Sequence, residues 1–246
     1  MTDRAVSDVV GYVLVFSLIV ATIGIVTTVG FATLDDRQSA EQLNNAERAF
    51  DVFANNADDI YRGGAPSRAT EMRLAGGTLR YGEPTELVVR DADATAEDQN
   101  LTVRYTPLVY TDGDAEIAYE GGAIIRGDGH GGAMVREPPF RIHSERTLLP
   151  LLGTTRAPGP TAVSRDGTVQ VETVRTSRVP TTPTDLQDAD EIEIEVDSQR
   201  QSAWNRYLER QADTDSEWEY VADGVLRIET ESLEAPQFRM RLRFAG

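Results

Sequence analysis

The sequence predicts an α+β protein: a long N-terminal transmembrane and stalk helix, followed by a mainly antiparallel, sandwich-like β domain with one short helix. Three observations carry this expectation. Residues 9–34 are apolar and free of charge. Residues 38–61 continue at helical period in soluble form, with Leu43, Ala46, Phe50, Phe53, Ala57 and Ile60 spaced three and four apart. Beyond Pro66 the period falls to two, the spacing of a strand with one buried face.

Taken in order, residues 1–8 form a short leader or tail. At about 1.5 Å per residue, 9–34 makes a helix about 39 Å long, enough to cross a hydrocarbon layer of about 30 Å once. No small-residue cleavage site follows Leu34, where the chain turns at once to Asp35-Asp36-Arg37, so the segment is expected to stay in the mature protein. The stalk, 35–62, carries its apolar stripe among acids and amides. Two alanines in three heptads make a weak isolated coiled coil, so the stripe packs either on the following domain or on neighbouring copies, as an assembly surface. Gly63-Gly64-Ala65-Pro66 ends the helix.

The β domain, 67–246, opens with Met72 and Leu74 facing Leu79 and Tyr81 across Gly76-Gly77, a hairpin signal. Strands follow at 87–90 and 101–105, then a second hairpin around Glu120-Gly121-Gly122. Further strands are expected at 134–135, 140–143, 147–152, 169–174 and 192–196. The final strands are 218–221, 225–228 and 238–244, the last alternating apolar residues with Arg239, Arg241 and Arg243. One helix, 202–211, puts Trp204, Tyr207, Leu208 and Gln211 on one side and covers an open sheet end. Linkers at 153–167 and 176–190 are rich in Pro, Thr, Gly and Asp, and the first is a candidate subdomain boundary.

Composition narrows the functional classes. All 24 basic residues are arginine, against 41 acids, for a net charge of -17. An acidic, lysine-free surface suits high salt, where screening shortens to about 3 Å near 1 M, and it points to a halophilic archaeon. Nucleic acid is excluded as a partner for want of a basic patch, since the Arg239–Arg243 row reads as an ordinary strand. The absence of cysteine removes disulfides, thiolate chemistry and lipid attachment at cysteine.

No catalytic constellation emerges, and the chain is not expected to be an enzyme. There is no nucleophile elbow, Walker or dinucleotide fingerprint, and without lysine no Schiff-base chemistry. His130 sits in the glycine-rich segment 127–132, read as a hairpin tip, and His143 is read as an exposed strand residue. The acids of 91–98 lack the spacing of a calcium loop, so no metal or cofactor is expected. Asn100-Leu101-Thr102 is an N-glycosylation sequon, which makes Asn100 a candidate modification site if the domain is extracellular.

Residues 4–11, Arg-Ala-Val-Ser-Asp-Val-Val-Gly, with the apolar run behind them, resemble the amino terminus of haloarchaeal type IV pilins and archaellin-like proteins. The whole chain resembles uncharacterised haloarchaeal membrane-anchored pilin-like proteins. The resemblance implies a prepilin-peptidase cut among Arg4, Ala5 and Val6, an assembly helix retained in the bilayer, pilin-like subunits as partners, and a large C-terminal domain outside the cell. The β domain is large for a major pilin, which points to a minor subunit. The alternative is an uncleaved, signal-anchored surface module for binding or adhesion.

Overall fold

The computed structural model describes residues 2–93, 100–128, 131–179, 182–187 and 189–245, with side chains of the first helix given for 11–27 and from 39 onward. The first element, α1, spans Thr2–Tyr61. It is followed by β1 (Ser67–Arg73), β2 (Thr78–Tyr81), β3 (Thr85–Asp91), β4 (Leu101–Tyr105), β5 (Leu108–Asp112), β6 (Ala115–Glu120), β7 (Ala123–Asp128) and β8 (Gly131–Arg136). Next come β9 (Thr147–Leu148), β10 (Leu151–Arg156), β11 (Ala162–Ser164), β12 (Thr168–Val179), α2 (Thr184–Gln187) and β13 (Glu191–Asp197). The last elements are α3 (Gln201–Ala212), β14 (Glu219–Ala222), β15 (Val225–Glu229), β16 (Leu233–Glu234) and β17 (Gln237–Ala245). The chain is thus α+β, and it forms two compact units, Met1–Asn44 and Asn45–Gly246.

In the first unit, the side chains of 11–27 are exposed, among them Tyr12, Phe16, Leu18, Ile19, Ile23 and Val26. Thr22 Oγ1 donates to the Leu18 carbonyl at 2.8 Å, which satisfies the hydroxyl within the helix. Among the described residues no helix is long and apolar enough to cross a membrane. The ends of the expected span, 9–10 and 28–34, lie outside the described side chains, and 11–27 alone rises about 25 Å. The side chains of Arg4, Ala5 and Val6 lie outside them too.

The stalk stripe is buried at every position from Leu43 through Ala46, Phe50, Phe53 and Ala57 to Ile60. Within the second unit its surroundings are clear. Phe53 meets Tyr119 of β6 edge-on at 4.9 Å, Tyr61 lies on Phe238 of β17 at 5.4 Å, and Asn56 Nδ2 donates to Thr70 Oγ1 of β1 at 2.8 Å. From Ala46 on, the stripe is therefore core of its own domain rather than a face left for neighbouring copies. Gly64, at φ 73, then reverses the chain so that Ala65 N–H reaches back to the Asp59 carbonyl at 3.2 Å and closes the last turn.

Among the described residues, three larger sheets and a small pair make up the β part. Their orders are β1-β12-β17-β10, β11-β2-β5-β6-β7-β8, β14-β15-β13-β3-β4 and β16-β9. Pairing is antiparallel except for β10 with β17 and β9 with β16. This is several sheets rather than one two-layer sandwich, because helices cover faces that a facing sheet would otherwise occupy. The last turns of α1, from Phe53 to Tyr61, pack on β1, β6 and β17. Trp204, Tyr207 and Leu208 of α3 join the core formed by Leu87, Val89, Ile192, Ile194, Leu226 and Ile228.

Two turns with similar glycine signatures behave differently. Glu120-Gly121-Gly122-Ala123 makes the expected hairpin, with Glu120 opposite Ala123 and both glycines at positive φ. Leu74-Ala75-Gly76-Gly77 also makes a tight turn, with Gly77 N–H on the Leu74 carbonyl at 2.8 Å, yet β1 and β2 do not pair. The 165–167 segment takes the hydrogen bonds of Leu74 and Gly76, and the Tyr110 hydroxyl donates to the Leu74 carbonyl at 2.9 Å. The Tyr110 ring lies against Gly77, where a Cβ would meet it at 2.4 Å. The turn hands the chain from one sheet to another.

The expected strand 140–143 is reduced to a single bridge, Arg141 with Leu148, and 147–152 is divided by Pro150 into β9 and β10. Linker 153–167 supplies the end of β10 and all of β11 and lies within the second unit.

An ion ladder crosses the face of β13 that carries Glu191, Glu193 and Glu195, with Glu193 itself buried. Glu193 stands opposite Arg90 on one neighbour and Arg227 on the other, each 2.7 Å away. Burial works to raise its pKa, but the hydrogen bonds from Arg227 and Arg90 outweigh burial and hold Glu193 below its ordinary 4.5. An acid with a depressed folded value adds stability above its unfolded value and loses it as pH falls through the folded one. Glu193→Gln is expected to flatten the acid limb of the stability curve below about pH 4.5. Urea midpoints from about pH 6 to about pH 3 measure this, and parallel curves for variant and parent would contradict it.

Candidate functional site

A cleft of about 330 Å³ lies in the second unit, where the end of α1, the segment after β8 and the side of α3 come together. Its basic residues are Arg62, Arg136 and Arg141, its acids Asp58 and Glu137, and His143 stands at the edge. The sequence 136–143, Arg-Glu-Pro-Pro-Phe-Arg-Ile-His, explains the layout. Two prolines remove two backbone donors and hold an extended path, so the strand that its pattern suggests does not form and Arg136 and Arg141 stand apart. Pro139 seats this segment on the β6–β7 turn. A Cβ at Gly122, which has φ +99, would lie 2.5 Å from Pro139 Cδ, so only glycine fits there.

Each charge has distinct company. Arg136 donates to Asn55 Oδ1 and Asp58 Oδ2, both at 2.9 Å. Arg62 Nε donates to the Tyr61 hydroxyl, and its nearer guanidinium nitrogen is 3.9 Å from Asp58. Glu137 pairs with Arg210 of α3 at 3.0 Å. Arg141 Nη1 donates to its neighbour's carbonyl, that of Phe140, at 2.9 Å, and among the described residues no carboxylate pairs with it. Burial raises the Asp58 pKa despite the opposing charges of Arg136 and Arg62. Tyr119 of β6, outside the lining, is buried, and burial pushes its hydroxyl far above the ordinary value, with Asp58 adding to the shift.

A second polar cluster is centred on an enclosed carboxylate, Glu120. Glu120 accepts from Thr85 Oγ1 at 2.9 Å, Trp204 Nε1 at 2.9 Å, Arg200 Nη1 at 3.1 Å and the Ser198 hydroxyl. Arg200 also reaches Glu116 at 2.6 Å. Glu120 itself is wholly out of solvent and ties elements together, while Arg200 and Glu116 at the edge of the cluster line surface pockets.

His143 is exposed and lines the cleft, though not on a strand. His130 and residues 94–98 of the acidic loop lie outside the described residues. Among the described residues no group of three metal-binding side chains comes together. Asn100 is half-buried just before β4, and Thr102 of its sequon is exposed. The convergence of Arg62, Arg136 and Arg141 had no signal in the sequence beyond the Pro138-Pro139 brace.

No curated protein and no solved structure matches this chain. A family model described as "Family of unknown function (DUF7289)" matches residues 4–242, which takes in α1 from its first turn and the β domain as far as β17. The chain belongs to that family of unknown function.

Proposed function

We propose that this chain is a single-pass, membrane-anchored, pilin-like surface protein of a halophilic archaeon, with 9–34 as the span and the β domain outside the cell. The observation that carries this is the exposed apolar surface on all sides of α1 from 11 to 27, with no charge among those residues. A helix apolar around its whole circumference belongs in lipid or in a bundle of like helices. The Thr22 hydroxyl, bonded to its own helix, fits the same surroundings. The lysine-free, acidic composition supports the high-salt setting, and the likeness of 4–11 to pilin amino termini supports the export route.

The bilayer, prepilin peptidase and pilin-like subunits are the partners of this reading, and Asn100 is its candidate glycan site. The test combines membrane fractionation with mass spectrometry of the mature amino terminus. The expected result is a urea-resistant membrane protein beginning at Ala5 or Val6. Recovery in the soluble fraction would overturn the anchor. A membrane protein still beginning at Met1 or Thr2 would favour the second reading, an uncleaved signal-anchored binding module, which the arginine-lined cleft supports.

A further inference from the structure

We propose that the cleft between the end of α1, Pro138-Pro139 and α3 binds a small anionic ligand through a carboxylate or sulfate group. The inference goes beyond the membrane anchor and stands whether or not 9–34 spans a bilayer.

The argument begins with charge. A chain of net charge -17 repels anions over most of its surface, so three guanidinium groups on one cleft are a local reversal. The cleft's own acids cancel only one of them, Arg136. Glu137 is engaged by Arg210, which lies outside the lining, and Asp58 is committed to Arg136 by a 2.9 Å hydrogen bond. Arg62 donates its Nε to the Tyr61 hydroxyl and has only a 3.9 Å contact to a carboxylate, that of Asp58, and Arg141, one of whose nitrogens serves the Phe140 carbonyl, has no carboxylate partner among the described residues. Both keep donors for an incoming oxyanion, and a planar guanidinium presents them as a fork suited to carboxylate or sulfate.

Shape adds a second constraint. About 330 Å³ falls at the small end of the range of ligand sites, about 300–1,000 Å³, and holds a ring-sized molecule more readily than a macromolecular segment. Pro138, Pro139 and the edge of Tyr207 supply an apolar wall beside the arginines. The mouth is held open by rigid parts. Pro139 is seated on the Gly122 turn, and Arg136 is tied to two residues of α1, so little ordering is required on binding.

The test uses the full chain in detergent micelles, titrated calorimetrically with sodium glucuronate, sodium sulfate and glucose. Glucuronate is expected to bind and glucose not to bind. Arg62→Ala with Arg141→Ala should weaken glucuronate at least about tenfold, the scale of losing a charge-assisted hydrogen bond. Both arginines are exposed, so an unchanged melting temperature is expected for the double variant and separates lost binding from lost fold. Sulfate binding that competes with glucuronate would identify a bare oxyanion as sufficient. Glucuronate binding without sulfate binding would identify a sugar acid. Failure of both anions to bind, equal binding of glucose, or unchanged affinity in the folded double variant would overturn the proposal.

Discussion

Glu120→Ala is expected to cost the β domain about 3–5 kcal/mol, the range for breaking a buried ion pair by removing one partner. The side chain is 0% exposed and accepts hydrogen bonds from four groups on three parts of the chain: Thr85 of β3, Ser198 and Arg200 before α3, and Trp204 within α3. Truncation leaves the Trp204 and Thr85 donors without an acceptor. Arg200, whose side chain is only 8% exposed, would retain Glu116 alone. Each orphaned donor costs about 1–3 kcal/mol, and the charge left half-paired adds to that. Glu120→Gln, which keeps the shape and one acceptor oxygen, should fall between parent and Ala variant. Denaturant midpoints at constant m-value measure the series. A loss below about 1 kcal/mol for Glu120→Ala would mean that water replaces the carboxylate without penalty.

Replacing Phe50 or Phe53 with serine should be comparably damaging. Each ring is 1% exposed, and large-to-small changes at such rings cost about 3–5 kcal/mol before the added hydroxyl is counted. Phe53 also loses its edge-on contact with Tyr119. Val52, on the same turn but 52% exposed, is the control, and Val52→Ser should change stability by less than about 0.5 kcal/mol. The pair separates two roles for the stalk stripe. A domain that keeps its denaturation midpoint with Phe53→Ser but loses self-association would place the ring between copies. Loss of the fold places it in the domain's own core, as its burial requires.

Much of the architecture was legible because the local signals were strong and short in range. The period of two located β3, β4, β13, β15 and β17, the glycine pair located the β6–β7 hairpin, and Trp204, Tyr207 and Leu208 located α3. What escaped was decided by partners distant in the chain. The Gly76-Gly77 turn carried the same signature as Gly121-Gly122, and only Tyr110 and residues 165–167, far along the sequence, divert it from hairpin pairing. Strand β5, Leu108–Asp112, begins with three consecutive buried residues and so shows no alternation. β11 and β16 are too short to leave a pattern. The cleft was least legible of all, because Arg62 and Arg141 are single arginines in a chain of many and only the meeting of α1 with the segment after β8 makes them neighbours.

The pairing of β1 with β12 and of both β12 and β10 with β17 has a consequence for the order of folding. Ser67 lies opposite Val174, and Leu152 lies opposite Phe238, so this sheet is built almost wholly from contacts between distant segments. Loop closure of that kind is slow, on the order of milliseconds to seconds in β-rich domains, whereas β5 through β8 are joined by consecutive antiparallel pairings. The β5–β8 region is therefore expected to form first and the four-stranded sheet to close last. Until it does, Tyr61 lacks Phe238 beneath it, and the side of the final turns of α1 that faces β17 and β1 remains uncovered. For that interval a newly made chain carries a sticky helix face that its finished form conceals, and this is when it is most open to capture by a chaperone or another copy.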